Sequence, residues 1–299
     1  MSTKSAIRIP WRQRAWDGLN VLALGLFALL TLYPFYYIFI YSISDPSEAA
    51  RGVFLTPQGF SLDNYRAVFR EDNIVRAFFI SISRTVVGTL LTLLGCTIFS
   101  YGISKPFLPF RRWMYGAVLV TMYISPGLIP WYITMKAYGL KDNFLLYVLP
   151  GMIVAFYIVL IKTYMEELPA ALEESAMVDG ASYYQILFKI ILPLSVPVLA
   201  TVAIFNAVGQ WNSWVDNLYL ASTPKLQTLQ LLLYSFVNQQ NAAMAMVTSN
   251  SMSSQNMIVL TPTSVQMTVT MVATLPILLV YPFLQRYFLK GLVLGAVKG

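Results

Sequence analysis

With 299 residues, 57% of them hydrophobic and only 11% charged, this chain lacks the polar surface of a soluble fold, where roughly a quarter of residues are charged. Composition points to a bilayer as solvent, so the net charge of +7 matters less than how Lys and Arg divide between the two sides. There is no histidine, which excludes Ser-His and Cys-His nucleophilic catalysis and His-based metal sites.

The chain opens on Lys4, Arg8, Arg12 and Arg14 ahead of an apolar run. That run, from about residue 20 to residue 43, is too long for the h-region of a secretory signal, and no small-residue cleavage site follows. It is expected to be a retained first span. A hydrocarbon core needs about 20 apolar residues as helix, and runs of that kind fall near 18–43, 74–104, 113–135, 144–164, 196–220 and 264–289. The expected fold is an all-α integral membrane protein of six transmembrane helices. The six spans occupy 18–290 between tails at 1–17 and 291–299.

With an even span count both termini share a side. That side collects Lys4, Arg8, Arg12, Arg14, Lys105, Arg111, Arg112, Lys162, Lys189, Arg286, Lys290 and Lys298, twelve against seven opposite, with Arg84 inside a span. By the positive-inside rule both termini are expected in the cytoplasm. The polar segments 44–73 and 221–263 then face outward, and 165–193 faces inward.

Span two places Ser81, Thr85, Gly88, Thr92 and Gly95 along one small-residue face, a pattern that suits helix packing. Cys96 lies alone in the same run and has no disulfide partner in the chain. Arg84 is an intramembrane cation. It has three readings: it snorkels outward, it pairs with Asp216, or it meets an acidic sugar such as a uronate. Pro126, Pro130 and Pro150 sit within spans three and four, where static kinks or gating bends are expected.

The inner segment 165–193 reads as a helical hairpin. Pro169 suits a first helical position and Gly180 the residue past a helix end. Acids come early, at Glu173 and Glu174, and Ala170, Ala171, Ser175 and Ala176 are small enough for another surface to approach closely. Ser182 and Gln185 form a capping box for a second helix. Its apolar stripe is Tyr183, Ile186, Leu187, Ile190, Ile191 and Leu194. Tyr184 and Phe188 flank that stripe and are expected to be exposed. On periodicity alone, an amphipathic helix resting at the bilayer interface is an equal alternative.

Span five carries Asn206, Gln210, Ser213 and Asn217 at i, i+4, i+7 and i+11. Such a ladder serves either a polar solute pathway, with Trp211 or Trp214 as an aromatic surface, or interhelical hydrogen bonding. No Gly-x-x-x-x-Gly-Lys-Ser/Thr loop occurs, so no P-loop for ATP is present.

Several of these stretches resemble one family. The order Glu174-Ser175-Ala176-x-x-Asp179-Gly180-Ala181, followed by Ile190 and Pro193, is similar to the Glu-Ala-Ala loop of ABC importer permeases, with Ser175 in place of the usual alanine. Trp211-Asn212-Ser213-Trp214, the turn Gly139-Leu140-Lys141-Asp142-Asn143 and the end from Phe283 to Gly299 resemble carbohydrate-type permeases of the MalG-like and LplC-like branch.

The resemblance implies the MetI-like permease fold in the bacterial cytoplasmic membrane. It also implies a coupling surface at Glu174, Ser175, Ala176, Asp179, Gly180, Ala181, Tyr184 and Phe188. The substrate pathway would use Arg84, Asn206, Gln210, Ser213, Trp214 and Asn217.

The implied partners are a second homologous permease, an ABC ATPase dimer, a solute-binding protein, an oligosaccharide and membrane lipid, with no nucleic acid. This chain would bind no cofactor itself, and the ATPase subunit would use ATP and Mg. The region 238–256 would touch the binding protein.

Two other classes stand beside this reading. An ion-coupled secondary transporter would need a mid-membrane acid, for which Asp216 is the one candidate. A membrane enzyme would need a cluster of acids, a nucleophile or a metal site, and none is visible in the sequence.

Overall fold

A computed structural model of the chain describes residues 11–49, 52, 55–238 and 262–296. Among these residues there is no β-strand, and one isolated bridge joins Ser44 to Phe60. The chain divides into two compact units, one of residues 1–68 and 246–271 and the other of residues 69–245 and 272–299.

The first unit is built on α1, Trp11–Ser42, which starts a turn or more before the predicted span and is otherwise continuous with it. The most apolar window of α1 has no buried residue. Its Leu22, Leu24, Phe27 and Leu30 are open, as lipid-facing side chains are. At its end Ile40, Tyr41 and Ala49 form a small core with Tyr37 and Met267. The following loop is pinned by Asn64, whose Nδ2 donates to the carbonyls of Ser42 and Ser44. Asn64 lies in α2, Asp63–Arg70.

The second unit is organised around α3, Asp72–Ser104, a helix half-buried over its apolar window. It packs chiefly against α6, Ala155–Glu166, and α9, Val196–Asn212. Between α3 and α6 the predicted third and fourth spans are not continuous helices. The third consists of α4, Arg111–Tyr123, and α5, Leu128–Ala137. The fourth is a single turn, Leu145–Val148, followed by non-helical chain through Val154 and then α6.

The sequence places Pro126 and Gly127 at the first break and Pro150 and Gly151 at the second. A proline cannot supply the amide that a helix interior needs, and a neighbouring glycine lowers the cost of turning. The expectation of kinks inside continuous helices is corrected here: Pro126 and Pro150 lie in helix breaks, and Pro130 sits in the first turn of α5.

Freed backbone polar groups inside a bilayer must find a partner in the protein. The small face of α3 supplies those partners. Thr92 Oγ1 donates to the carbonyl of Gly151 at 2.8 Å. The amide of Val154 donates to Cys96 Sγ at 3.4 Å, and Ser100 Oγ donates to the carbonyl of Ile158 at 3.1 Å.

The approach is close because α3 carries glycine where the backbones meet. A Cβ on Gly95 would fall 2.8 Å from the Met152 carbonyl, and one on Gly88 would fall 2.8 Å from the Gln210 side chain.

The predicted inner segment contains α7, Ala171–Val178, and α8, Tyr183–Leu194. Beyond it come α9 and α10, Val215–Leu220. Within the polar segment that follows lies α11, Leu229–Asn238, and α12 is Pro262–Ala296. Two residues, Asp142 and Tyr147, tie the segment after α10 to the chain around the turn Leu145–Val148. Asp142 Oδ1 accepts from the amide and hydroxyl of Thr223, and Tyr147 donates to the carbonyl of Leu226 at 2.7 Å. The Thr223 amide beside Asp142 holds its carboxyl below the usual carboxylate range.

Among the described residues, the helices long and apolar enough to cross a bilayer by themselves are α1, α3 and the apolar stretch of α12, and the bent pair α8 and α9 is long and apolar enough when taken together.

If Gly95 is required for this approach, Gly95→Val should lower the thermal midpoint of the detergent-purified protein, at a cost of about 1–3 kcal/mol. Gly102→Ala, where a Cβ would meet nothing within 4 Å, is the control and should leave the midpoint in place. Equal midpoints for both variants would refute the packing argument.

Candidate functional site

Two features of the second unit carry function-like chemistry: a polar cavity between α3 and the end of α9, and the exposed outer face of the inner hairpin.

The cavity encloses about 200 Å³ and is lined by Arg84, Trp131, Tyr147, Asn206, Gln210 and Asp216 among others. Arg84 is part of its wall and only 2% exposed. An arginine has five N–H donors, and each is engaged. Nε and Nη2 donate to Gln210 Oε1 at 3.3 and 3.2 Å. Nη2 also donates to Asp216 Oδ2 at 2.6 Å, and Nη1 donates to Asp216 Oδ1 and to the Ser213 carbonyl, both at 3.2 Å. The guanidinium also lies 4.4 Å from the centroid of the Tyr147 ring, a cation–π distance.

Of the three sequence readings of Arg84, the structure adopts the ion pair with Asp216. A buried pair survives when it has good geometry and additional hydrogen bonds, and this one has both.

Span five does not run as one helix through this region. α9 stops at Asn212, Ser213 and Trp214 are non-helical, and α10 begins at Val215. The polar ladder expected from i, i+4, i+7, i+11 spacing therefore breaks after Gln210, through one distant contact and one local one. The Ser213 carbonyl is given to Arg84, and Asp216 Oδ1 accepts from the Ser213 hydroxyl and the Asn217 amide.

The rungs separate accordingly. Asn206 and Gln210 are buried and line the cavity with Ser213, and Asn206 Nδ2 donates to Thr89 Oγ1 at 3.4 Å. Asn217 is fully buried away from the cavity. Its Oδ1 accepts from the amide and hydroxyl of Thr228 and its Nδ2 donates to the Ala221 carbonyl. Together with Ser81 Oγ, which accepts from the Leu229 amide at 2.9 Å, it satisfies amides at the start of α11.

Trp214 is not a cavity-lining residue. It stacks on Tyr234 at 4.1 Å with an 18° interplanar angle. Trp211 packs edge-on to Phe78 and donates from Nε1 to the Ala273 carbonyl. Tyr147 and Trp131, which do line the cavity, were not singled out from the sequence. Both lie beside helix breaks, where no periodic pattern reveals a facing direction.

The inner hairpin is built by local rules. α7 ends in a Schellman arrangement: Ala181 N–H donates to the Ala176 carbonyl and Gly180 N–H to the Met177 carbonyl. Gly180 takes a φ of +80°, a conformation glycine adopts without a Cβ penalty. Ser182 and Gln185 then form the reciprocal capping box that opens α8.

Pro169 lies two residues ahead of α7, so the helix starts later than the sequence suggests. Inside α8, residues Leu187–Ile191 form a wide π turn ahead of Pro193. The helix then bends by 77° at Ser195 into α9.

The hairpin has a protein-facing side. Ala176, Ile186, Leu187 and Ile191 are buried in one core with Tyr101, Ile103, Ile158, Ile161, Val198 and Val202. Of its expected apolar stripe, Ile186, Leu187 and Ile191 pack on α3, α6 and α9 with Ile190 beside them, whereas Tyr183 and Leu194 are exposed. Lys105, just past the end of α3, is ion-paired with Glu173 and lies over the Tyr101 ring.

The opposite side is open. Glu174, Ser175, Asp179 and Gly180 are exposed, as are Val178 at 87%, Tyr184 at 76% and Phe188 at 49%. Ala176 is buried and Ala181 is half-buried. Of the proposed outer contact region, only Asn238 belongs to the described residues.

Comparison with known proteins matches residues 7–293 to the model of the family described as binding-protein-dependent transport system inner membrane component. The chain is 37% identical over 287 residues to protein LplC of Bacillus subtilis (strain 168), covering 96% of each. It is 35% identical over 292 residues to the polygalacturonan/rhamnogalacturonan transport system permease protein YtcP of the same organism, covering 96% of this chain and 100% of that one. A crystal structure of a bacterial ABC transporter involved in import of the acidic polysaccharide alginate contains a chain with TM-score 0.82 and 31% identity. That match covers 96% of this chain and 100% of the other.

If Arg84 and Asp216 hold each other, Arg84→Met should destabilise the purified protein by about 3 kcal/mol or more, because it leaves a largely buried carboxylate unpaired. The double variant Arg84→Met/Asp216→Asn should recover part of the loss. A strictly additive double variant in thermal unfolding would show that the pair is not coupled.

Proposed function

Because the chain belongs to the family of binding-protein-dependent transport system inner membrane components, and is a membrane permease rather than an enzyme, we propose that it is one translocation subunit of an ATP-driven importer of oligosaccharides. A second homologous permease completes the passage, a pair of ABC ATPase subunits sits on the cytoplasmic side, and a solute-binding protein delivers the sugar from outside. ATP and Mg are used by the ATPase, and this chain binds neither. Six spans with both termini in the cytoplasm put the 165–193 hairpin on the ATPase side.

The observation that carries the reading is the two-sided hairpin. Its inner side is locked by apolar contacts into the core shared with α3, α6 and α9. Its outer side offers Val178, Asp179, Tyr184 and Phe188, all exposed among the described residues. A surface gripped from outside at Glu174 to Ala181 would displace the inner side with it, since close-packed interiors move as units. The 77° bend at Ser195 joins that motion directly to α9, which carries Asn206 and Gln210. Nucleotide-driven movement of the ATPase would thereby reshape the polar cavity and alternate its access.

Saccharide names among the relatives support the substrate class, and the amide-lined cavity suits a solute with many hydroxyls. The ion-coupled alternative is not favoured. Its one candidate acid, Asp216, is tied to Arg84, and relatives include transport system permease proteins.

Reconstitution with the companion permease, ATPase and binding protein tests both halves. Gly180→Val forces a Cβ into a positive-φ position. It should reduce ATP-dependent uptake at least tenfold while membrane insertion is retained. Asn206→Ala and Gln210→Ala should reduce uptake with assembly intact. Full uptake by Gly180→Val would remove the coupling reading, and full uptake by both alanine variants would remove the passage reading.

A further inference from the structure

The intramembrane arginine invites the idea that it grips the carboxylates of an acidic sugar, but its surroundings argue otherwise. All of its N–H donors already have acceptors within the protein, and one face of the guanidinium is against Tyr147. Exposure is also reversed from what an anion site needs: the Arg84 side chain is 2% accessible, the Asp216 side chain 14%. A solute entering the cavity meets the carboxylate before the cation.

Resting on the reading of this cavity as part of the passage, we propose that Asp216 is a specificity-determining residue. It cancels Arg84, so that this chain's wall of the passage receives the hydroxyl face of a saccharide and not its carboxylates. Beside this mutually neutralised pair, the groups left to the solute are uncharged: the amides of Asn206 and Gln210 and the rings of Tyr147 and Trp131. Aromatic and amide surfaces suit the alternating CH faces and hydroxyl edges of sugar rings and do not discriminate by charge. Any carboxylate on the cargo is then accommodated away from this wall.

The charge can be uncovered without changing shape. In Asp216→Asn the side chain keeps its size and loses its charge, so Arg84 becomes a buried cation in need of an anion. The test is binding to the purified permease–ATPase complex, without the binding protein. The probes are tetragalacturonate and its fully methyl-esterified form, read by thermal stabilisation. The two differ in charge and share their ring geometry.

The expected result is that Asp216→Asn binds the free acid about tenfold tighter than the unaltered complex does, with little change for the ester. The neutral pair Arg84→Gln/Asp216→Asn should lose that gain. Should Asp216→Asn fail to assemble, Arg84→Gln is the mirror variant. It leaves Asp216 uncompensated and should weaken the acid about tenfold relative to the ester.

Acid binding by Asp216→Asn no tighter than by the unaltered complex, including no binding in either, overturns the proposal. So does a gain that persists in the double variant. These outcomes are separable from failure of the passage reading, which is decided by uptake in Asn206→Ala and Gln210→Ala.

Discussion

An amide or carbonyl that leaves a helix inside a bilayer has no water to turn to, and losing its hydrogen bond there costs several kcal/mol. This protein breaks helices repeatedly within the apolar runs expected to span the bilayer: at 124–127, at 149–154 and at 213–214. The break at 149–154 is tolerated because α3 lies against it with a face of glycines and short polar side chains. Gly95 lets the Met152 carbonyl approach, Thr92 donates to Gly151, and Cys96 takes the amide of Val154. The break at 213–214 is satisfied from the same helix by Arg84. One helix thus acts as the hydrogen-bonding solvent for its neighbours.

The same arrangement explains why the hairpin and the cavity belong to one mechanical body. α3 ends beside Lys105, which pairs with Glu173 of α7, and about six turns earlier it carries Arg84. α9 starts from the bend after α8 and ends beside Gln210. Both helices that enclose the cavity are therefore held at their other ends by the hairpin. Displacement of α7 and α8 has two covalent or ionic routes to the polar cavity, and the buried apolar cluster between them resists shear. A bilayer-resting amphipathic helix would have no such connection, since its apolar face would be spent on lipid.

Much of this was legible in the sequence, and what was legible followed from local rules. The capping box at Ser182 and Gln185, the turn at Gly180 and the buried stripe Ile186, Leu187, Ile191 each depend on residues a few positions apart. The long apolar runs of α1 and α3 needed only hydropathy. Continuity of spans three, four and five was misjudged because hydropathy counts apolar residues and is blind to where hydrogen bonds go. Pro126 and Pro150 signalled trouble, but whether a proline kinks or ends a helix depends on whether a neighbour can satisfy the freed groups. The break at Ser213 has no proline at all. It follows from Arg84, distant in sequence, taking the Ser213 carbonyl and from Asp216 capping locally. Asn217, spaced as a pathway residue, serves instead to satisfy amides ahead of α11, a role fixed by the chain that folds back upon it at Thr228.

A buried ion pair is a poor way to gain stability, since apolar residues of equal volume often do as well or better. What Arg84 supplies is reach and multiplicity. Its planar fork addresses a carboxylate in two places, an amide oxygen and a backbone carbonyl at once, and its face rests on Tyr147. These acceptors come from the end of α9, from the break and from the first turn of α10, while the ring belongs to the span before α6. An apolar side chain could fill the same volume but could not bind the Ser213 carbonyl and the Asp216 carboxylate together. The charge is kept because it fixes a broken geometry, and Asp216 is kept because without it that charge would be a buried cation left without its anion.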